Sequence, residues 1–238
     1  MIALDLKTST LTSSFIAEII MKELTILDGS WYVFRAYYGL PPLHDEDGHN
    51  VNAVYWFFRM LFKLLAHKPS HFLIAWDSPK RTKRKEEYEE YKANRVKMPD
   101  EFKWQMRMIK ELVDELDIPY IEQAGYEADD IIATVVETYA PKENVQMVSI
   151  VSSDKDLKQL LRDGVTMFDP LKNIRVDHQQ FQKEYGFSPK QMLDYLSLIG
   201  DSSDNIPGVR WVWPKSATQL IAERWTLENI YANIESIS

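Results

Sequence analysis

Short apolar runs alternate with longer amphipathic segments along the chain, and this order predicts the fold class. Four short runs have the length of buried strands: residues 24–27, 72–76, 147–151 and 165–168. The longer segments have the apolar content or helical spacing of packed helices: residues 53–66, 102–116, 127–139, 178–185 and 189–199. Strands that alternate with helices predict an α/β fold, with a mainly parallel sheet flanked by helices.

Three of the predicted strands are followed by an aspartate, namely Asp28, Asp77 and Asp154. The carboxyl ends of parallel strands meet at one edge of a sheet, where α/β proteins bind their ligands. We therefore expect these three side chains to lie near one another. A single aspartate after a strand is also a common helix cap or turn former, and the sequence leaves that interpretation open.

Further acids stand in the runs YEADD, SSDKDL and GDSSDNIPG, and these are Glu127, Asp129, Asp130, Asp156, Asp201 and Asp204. Simpler explanations exist, since acids favour helix N-termini and polar turns. Two carboxylates 4 Å apart repel by about 4 kcal/mol at an effective dielectric of 20, and a divalent cation removes that cost. Oxygen ligands select Mg²⁺ or Mn²⁺, and several acids fit a two-ion phosphoryl site that activates water. A structural calcium site is the alternative, although no EF-hand spacing is present.

Composition narrows the class of protein. The 238 residues are 45% apolar and include no cysteine, which excludes disulfide scaffolds and thiolate metal sites. The formal net charge of −8 has the wrong sign for a simple nucleic-acid binder, but the nine acids above account for more than the whole excess. No apolar run approaches the roughly 18 residues that cross a bilayer, and the first 22 residues do not resemble a signal peptide. We expect a cytoplasmic protein with no membrane partner.

Residues 79–97 form a basic segment with interleaved tyrosines. It includes eight basic residues: Lys80, Arg81, Lys83, Arg84, Lys85, Lys92, Arg95 and Lys97. Such a segment can be a solvated helix with internal ion pairs. It can also bind the phosphates of a nucleic acid while Tyr88 and Tyr91 stack on bases. Its position directly after Asp77 favours the second interpretation.

Six motifs occur in the order found in one known family. They are LDGSWYVFRAYYGLPP, AWDSPKRTKR, EYKANRVKMPDE, GYEADDIIAT, SSDKDLKQLL and GDSSDNIPGV. From about Lys22 onward the chain resembles the 5′-nuclease domain of bacterial DNA polymerase I, in the flap endonuclease family. The resemblance implies a PIN-like core over residues 22–185 with a helical arch around 79–100. A helix–three-turn–helix DNA-binding region of the helix–hairpin–helix type would follow over 186–238, apparently truncated. Residues 1–21 lie before this resemblance, and their Ser/Thr-rich stretch 8–14 predicts a loose extension; one hypothesis is that it is not native and that translation starts at Met21.

The resemblance also implies a site and an activity. The metal-site acids would be the nine named above, with Asp28, Asp129, Asp154 and Arg84 as the catalytic set. The DNA-binding residues would be Arg35, Lys83, Arg84, Tyr91, Lys92, Arg95, Gly208 and Lys215. The implied cofactors are two Mg²⁺ or Mn²⁺ ions, with a monovalent cation at the hairpin. The implied activity is a 5′-3′ exonuclease or flap endonuclease on DNA with a 5′ flap, a nick or an RNA primer end, alongside a polymerase of the same pathway. A PIN-type RNA nuclease and a DNA-binding protein with impaired catalysis are the alternatives.

Several tryptophans depart from the family pattern. The family's hairpin runs G-V-x-G-I-G-x-K-T-A, whereas here Trp211 and Trp213 replace two of the glycines. Trp31, Trp56 and Trp225 stand in comparable places, and the chain has 8 glycines and 7 tryptophans. One hypothesis is that the codon UGA, which some bacterial lineages read as glycine, has been translated as tryptophan at these positions. The alternative is true substitution in a diverged protein with a disabled hairpin.

Overall fold

The central element of the fold is a six-stranded sheet. The computed structural model describes residues 22–224 and 226–236, so the predicted extension 1–21 lies outside the described residues. The strands are β1 (Glu23–Asp28), β2 (His71–Trp76), β3 (Tyr120–Glu122), β4 (Met147–Val151), β5 (Val165–Asp169) and β6 (Ile174–Val176). Their order is β3-β2-β1-β4-β5-β6, and every pair is parallel except β5 with β6. The predicted α/β fold with a mainly parallel sheet is confirmed.

Helices cover both faces of this sheet. The described α-helices of five or more residues are α1 (Gly29–Gly39), α2 (Asn52–Ala66), α3 (Lys83–Glu87), α4 (Asp100–Glu115), α5 (Ala128–Thr134), α6 (His178–Tyr185), α7 (Met192–Ile199), α8 (Pro214–Arg224) and α9 (Leu227–Ala232). All of them except α3 bury residues in the cores on the two faces. A π-helical turn, Val135–Tyr139, extends α5, and a two-stranded ribbon of β7 (Gly200–Asp201) and β8 (Ile206–Pro207) follows α7. Helix α1 and the short edge strands β3 and β6 were not anticipated from the sequence pattern. In the part of the chain that is described, no helix has the length and apolar content to cross a membrane.

Two apolar cores separate the helices into two layers. Neighbouring residues of a strand point to opposite faces of the sheet, so Leu27 and Ile26 belong to different cores. Leu27 packs with residues of α1, α2 and α4, while Ile26 packs with residues of α5 and of the C-terminal helices. Both layers therefore fix the position of β1, whose last residue is Asp28.

The basic segment between β2 and α4 contains less helix than an arch of residues 79–100 would suggest. It forms the five-residue helix α3 and then a series of turns through Arg95. The reason is that this stretch has no apolar stripe to bury, and an isolated short helix is marginal without one. Tyr91 is its one buried residue between Asp77 and Phe102.

Gly29 begins α1 directly above the central strands, and we predict that this close packing excludes a side chain. A Cβ at Gly29 would lie 2.6 Å from Trp76 Cζ3 and 2.7 Å from Ile74 Cγ2. We expect Gly29→Ala to lower the free energy of unfolding by about 1–3 kcal/mol, measured by urea denaturation, because both neighbours are buried. Gly39→Ala is the matched control, since its Cβ would approach no closer than 3.4 Å to the Arg35 Cδ atom. Equal stability of the two variants would contradict the prediction.

Candidate active site

Four aspartates meet at the carboxyl edge of the sheet. Asp28 ends β1, Asp77 follows β2, Asp154 lies three residues beyond β4, and Asp129 stands in the first turn of α5. The charges of Asp28, Asp154 and Asp77 all act on Asp129. The structure therefore brings together the three strand-end aspartates of the sequence pattern and adds one from a helix.

Local hydrogen bonds hold these carboxylates in place. Asp28 accepts hydrogen bonds from the Trp31 backbone N–H at 3.0 Å and from the Ser152 hydroxyl at 3.1 Å, so it is both a helix cap and a site residue. Asp77 accepts from the Ala128 backbone N–H at 2.7 Å, while its own N–H donates to Ser30 Oγ at 2.8 Å. Ser30 and Ser152 were missed by the sequence reasoning, although both stand inside the quoted motifs.

The acids are costly to ionise where they lie. Burial, assisted by the charge of Asp77, raises the pKa of Asp28 to about 7. Burial and the charges of three neighbouring carboxylates raise the pKa of Asp129 to about 9. Burial and the charge of Asp154 likewise raise the pKa of Asp156 to about 6. Raised carboxyl pKa values of this kind indicate that the basic side chains of the protein do not neutralise the negative charge of these acids.

A second acidic group lies beside the first. One carboxylate oxygen from each of Asp156, Asp201 and Asp204 lies within 4.8 Å of the others. Oδ1 of Asp156 is buried and has no hydrogen-bond partner, an arrangement that is rare for a buried polar atom. Three oxygen ligands around such an atom fit a hard divalent cation. The donor set therefore agrees with the Mg²⁺ or Mn²⁺ expected from the sequence.

The remaining two predicted acids, Glu127 and Asp130, are paired with basic side chains. Arg84 donates to Glu127 at 2.9 Å and makes a two-bond pair with Asp130 at 2.6 and 3.0 Å. The Lys92 ammonium lies 2.9 Å from Glu127 Oε1. Glu127 and Asp130 also form a capping box at the start of α5, so the simpler helix-terminus explanation is correct for part of their role.

The basic segment is turned toward these acids. Besides Arg84 and Lys92, Arg95 pairs with Asp204 at 2.6 Å. The Lys83 ammonium donates to the Tyr126 hydroxyl and lies 4.3 Å from the centre of that ring. Arg84 and Arg95 keep nearly half of their side-chain surface exposed, so both can still reach a phosphate group.

The other predicted DNA-binding residues lie on separate elements. Arg35 is a half-exposed residue of α1, and Lys215 is exposed in the first turn of α8. Gly208 has a packing role, since a Cβ there would lie 2.3 Å from the Ile199 carbonyl oxygen. This tight approach explains the glycine at 208 without reference to a ligand.

The suspect tryptophans differ in their surroundings. Trp211 and Trp213 are 75% and 68% exposed at the turn before α8. Trp31 and Trp56 are partly buried against the core beneath α1 and α2, and the indole nitrogen of Trp56 is buried without a partner. Trp225 lies outside the described residues. Trp76 is fully buried and stacks on Phe57, as expected of a genuine core tryptophan.

Comparison with known proteins identifies the family. Residues 23–186 match the model of the 5′-3′ exonuclease N-terminal resolvase-like domain, and residues 187–238 match that of the 5′-3′ exonuclease C-terminal SAM fold. The chain belongs to the 5′-3′ exonuclease family. The family resemblance inferred from the six motifs is thereby confirmed.

Named relatives agree with this assignment. A 5′-3′ exonuclease of Aquifex aeolicus is 41% identical over 90% of this chain and 74% of its own length. A DNA polymerase I of Bacillus caldotenax is 40% identical over 91% of this chain, which spans 25% of that protein.

Two solved structures share the fold. One, the T5 5′-exonuclease with bound zinc ions, has a TM-score of 0.72 at 22% identity and covers 89% of this chain and 79% of its own. The other, the catalytic core of Rad2 in complex with DNA substrate, has a TM-score of 0.62 at 20% identity and covers 92% and 66%.

The raised carboxyl pKa values predict how stability depends on pH. The folded protein retains protons on Asp28, Asp129 and Asp156 that the unfolded chain releases near pH 4. In EDTA, the free energy of unfolding should therefore fall as pH rises through about 6, 7 and 9. Mg²⁺ should raise the melting temperature more at pH 9 than at pH 5, and Asp129→Asn should weaken the pH dependence. A Mg²⁺ effect that is the same at both pH values would contradict this.

Proposed function

We propose that this chain hydrolyses phosphodiester bonds near the 5′ ends of branched or nicked DNA in a reaction that requires divalent cations. The single observation that supports this best is the meeting of Asp28, Asp77, Asp129 and Asp154 at one sheet edge, beside the orphaned carboxylate of Asp156. Membership of the 5′-3′ exonuclease family gives the reaction class. Beyond this class, we propose that the reaction requires divalent cations, that the substrate is branched or nicked DNA, and that the residues below have the roles given to them.

The two acidic groups would hold the cations. Asp28, Asp77, Asp129 and Asp154 would bind one ion, and Asp156, Asp201 and Asp204 would bind a second. Bound divalent cations supply an activated water and neutralise charge on the phosphate. The carboxylates themselves orient the substrate only through those ions, because their own charge repels a phosphate. Ser30 and Ser152 keep Asp77 and Asp28 in position through the hydrogen bonds described above.

Arg84 is the basic residue best placed for the scissile phosphate. It borders a cavity of about 350 Å³ that is also lined by Asp129, Asp156 and Asp204. Its side chain is 43% exposed, and its guanidinium already pairs with Glu127 and Asp130. A phosphate entering the cavity would receive two hydrogen bonds from this planar donor, which stabilises negative charge developing in the transition state.

The substrate class rests on similarity. A T5 flap endonuclease has been solved with DNA and metal ions, and Rad2 with a DNA substrate. We propose DNA with a 5′ flap, a nick or an RNA primer end as the substrate of this chain. The polymerase relatives suggest that it acts with a polymerase in the bacterial cytoplasm. A DNA-binding protein with impaired catalysis is the second candidate, because Trp211 and Trp213 project from the hairpin.

Removal of a single carboxylate should separate cleavage from binding. We expect Asp154→Ala and Asp129→Ala to abolish cleavage of a labelled 5′-flap DNA in Mg²⁺, since each removes a ligand from the same acidic group. Flap affinity, measured in EDTA by fluorescence anisotropy, should change less than about two-fold. Asp163→Ala, a fully exposed carboxylate before β5 at the opposite edge of the sheet, is the control and should cleave normally.

Three outcomes decide between the candidates. Cleavage of the flap by wild type that stops in EDTA supports the proposal. Tight binding without cleavage in Mg²⁺ or Mn²⁺ supports the DNA-binding alternative. Preferential cleavage of a single-stranded RNA of the same sequence supports a PIN-type RNA nuclease. Undiminished turnover by either aspartate variant would overturn the residue assignments.

A further inference from the structure

Tyr91 occupies an unusual position for a residue of the basic segment. Its neighbours from Tyr88 to Lys97 are exposed or half-exposed, whereas Tyr91 is 5% exposed. A side chain buried to this extent offers no face on which a base could stack. The stacking role expected for Tyr91 from the sequence therefore disagrees with its burial.

The Tyr91 hydroxyl bridges two acids that are far apart in the sequence. It lies 2.8 Å from Glu127 Oε2 and 3.0 Å from Asp204 Oδ2. Glu127 begins α5, whereas Asp204 belongs to the turn between β7 and β8 and to the acidic group with the orphaned Asp156. Burial and the two carboxylates raise the pKa of Tyr91, so the hydroxyl stays protonated and donates.

Hydrogen bonds to backbone carbonyls fix the tyrosine in this place. The Lys92 backbone N–H donates to the Asp204 carbonyl at 2.8 Å, and the Asn94 side-chain Nδ2 donates to the Ser202 carbonyl at 2.7 Å. In return, the Asn205 side-chain Nδ2 donates to the Glu90 carbonyl at 2.7 Å. The segment around Tyr91 is thus bound to the turn that presents Asp204, and the position of the hydroxyl does not depend on the ring alone.

We propose that Tyr91 is a positioning residue whose hydroxyl fixes Asp204, a member of the second acidic group, against Glu127 at the start of α5, so that Asp204 is held in place to bind a divalent cation. This inference rests on the proposed metal-dependent function. It differs from a DNA-contact role, because it assigns the effect of the hydroxyl to the acids and not to the substrate. Hydrogen-bond partners of metal ligands typically change metal affinity about 10–100-fold when removed.

Tyr91→Phe tests the hydroxyl while keeping the buried ring. We expect Mn²⁺ binding, measured by titration calorimetry in the absence of DNA, to weaken about ten-fold. The Mg²⁺ concentration for half-maximal flap cleavage should rise by a similar factor, while flap affinity in EDTA stays within about two-fold of wild type. Tyr88→Phe is the matched control, since Tyr88 is exposed on the same segment and should bind Mn²⁺ as wild type does.

The outcomes separate this inference from the proposed function. Wild-type protein that binds no Mn²⁺ would overturn the metal-dependent function itself. Equal Mn²⁺ affinity of wild type and Tyr91→Phe would overturn the positioning role and leave the function intact. If Tyr91→Phe instead weakens flap binding without changing Mn²⁺ affinity, the residue is a DNA contact. Introducing Tyr91→Phe into Asp204→Asn should have less effect than introducing it into wild type, because one bridged carboxylate is already neutral.

The backbone conformation at residue 211 supports a second, independent inference. Trp211 has a φ of +70°, in the left-handed region where a Cβ crowds the following carbonyl. Of the seven described non-glycine residues with positive φ, four are Asn or Asp, which tolerate this region, and Trp211 is the one aromatic residue. Its indole is 75% exposed and so recovers little energy by packing. Residue 211 therefore has a backbone conformation typical of glycine and lies in an exposed turn.

We infer that the cell from which this sequence comes places glycine at position 211, through a UGA codon. Sequencing the gene should give UGA at 211, while Trp76, the buried core tryptophan, should have the standard codon UGG. Peptide mass spectrometry of the protein from its own cells should then show glycine at 211. A UGG codon at 211 would overturn the inference.

The conformation itself can be tested on the purified protein. Trp211→Ala removes the indole but keeps a Cβ, whereas Trp211→Gly removes both. The equilibrium constant for unfolding should be roughly ten-fold lower for Trp211→Gly than for Trp211→Ala, as expected from the cost of a left-handed residue with a Cβ. The same pair of substitutions at Trp213, which has no positive φ, should lack this difference. Equal stability of the two variants at position 211 would show that no glycine is required there.

Discussion

Repulsion among carboxylates gathered at one edge of a parallel sheet is the constraint on which the rest of the structure depends. Asp28, Asp77, Asp129 and Asp154 are held together by strands and a helix whose apolar faces are buried in two cores. Packing of those cores supplies the free energy that opposes the electrostatic cost. The raised pKa of Asp129 indicates that the protein itself does not fully relieve this cost, which is the physical reason for proposing cation binding there.

The basic segment follows from the same constraint. The side chains of Arg84, Lys92 and Arg95 each form an ion pair with an acid. In this structure, these residues, which the family resemblance predicts to bind DNA, therefore neutralise carboxylates of the protein. An exposed guanidinium paired with a carboxylate can exchange that partner for a phosphate at little cost, because both are bidentate acceptors. Tyr91 differs from these residues, since its buried and uncharged hydroxyl lies between two acids, Glu127 and Asp204.

The C-terminal hairpin follows a different physical rule, since backbone conformation governs it. Gly200 and Gly208 pack so closely that a Cβ on Gly200 would lie 2.2 Å from the Gly208 nitrogen. Three residues later, Trp211 adopts a backbone angle typical of glycine. Of the suspect tryptophans that the structure describes, Trp211 is therefore the one whose backbone angle favours glycine.

The sequence by itself determined the sheet, most helices and the family, because buried strands, helical spacing and six motifs are local patterns. It also predicted the convergence of Asp28, Asp77 and Asp154, since parallel strands share one carboxyl edge.

The sequence pattern did not predict α1, whose N-cap residue, Asp28, is also a residue of the acidic site. It did not predict the edge strands β3 and β6 either, because three residues are too few for a periodic signal. Only the tertiary structure paired Glu127 and Asp130 with Arg84 and buried Tyr91 between Glu127 and Asp204. The two contacts of Tyr91 join residues 36 and 113 positions apart, and no local pattern encodes which of several acids a distant side chain will contact.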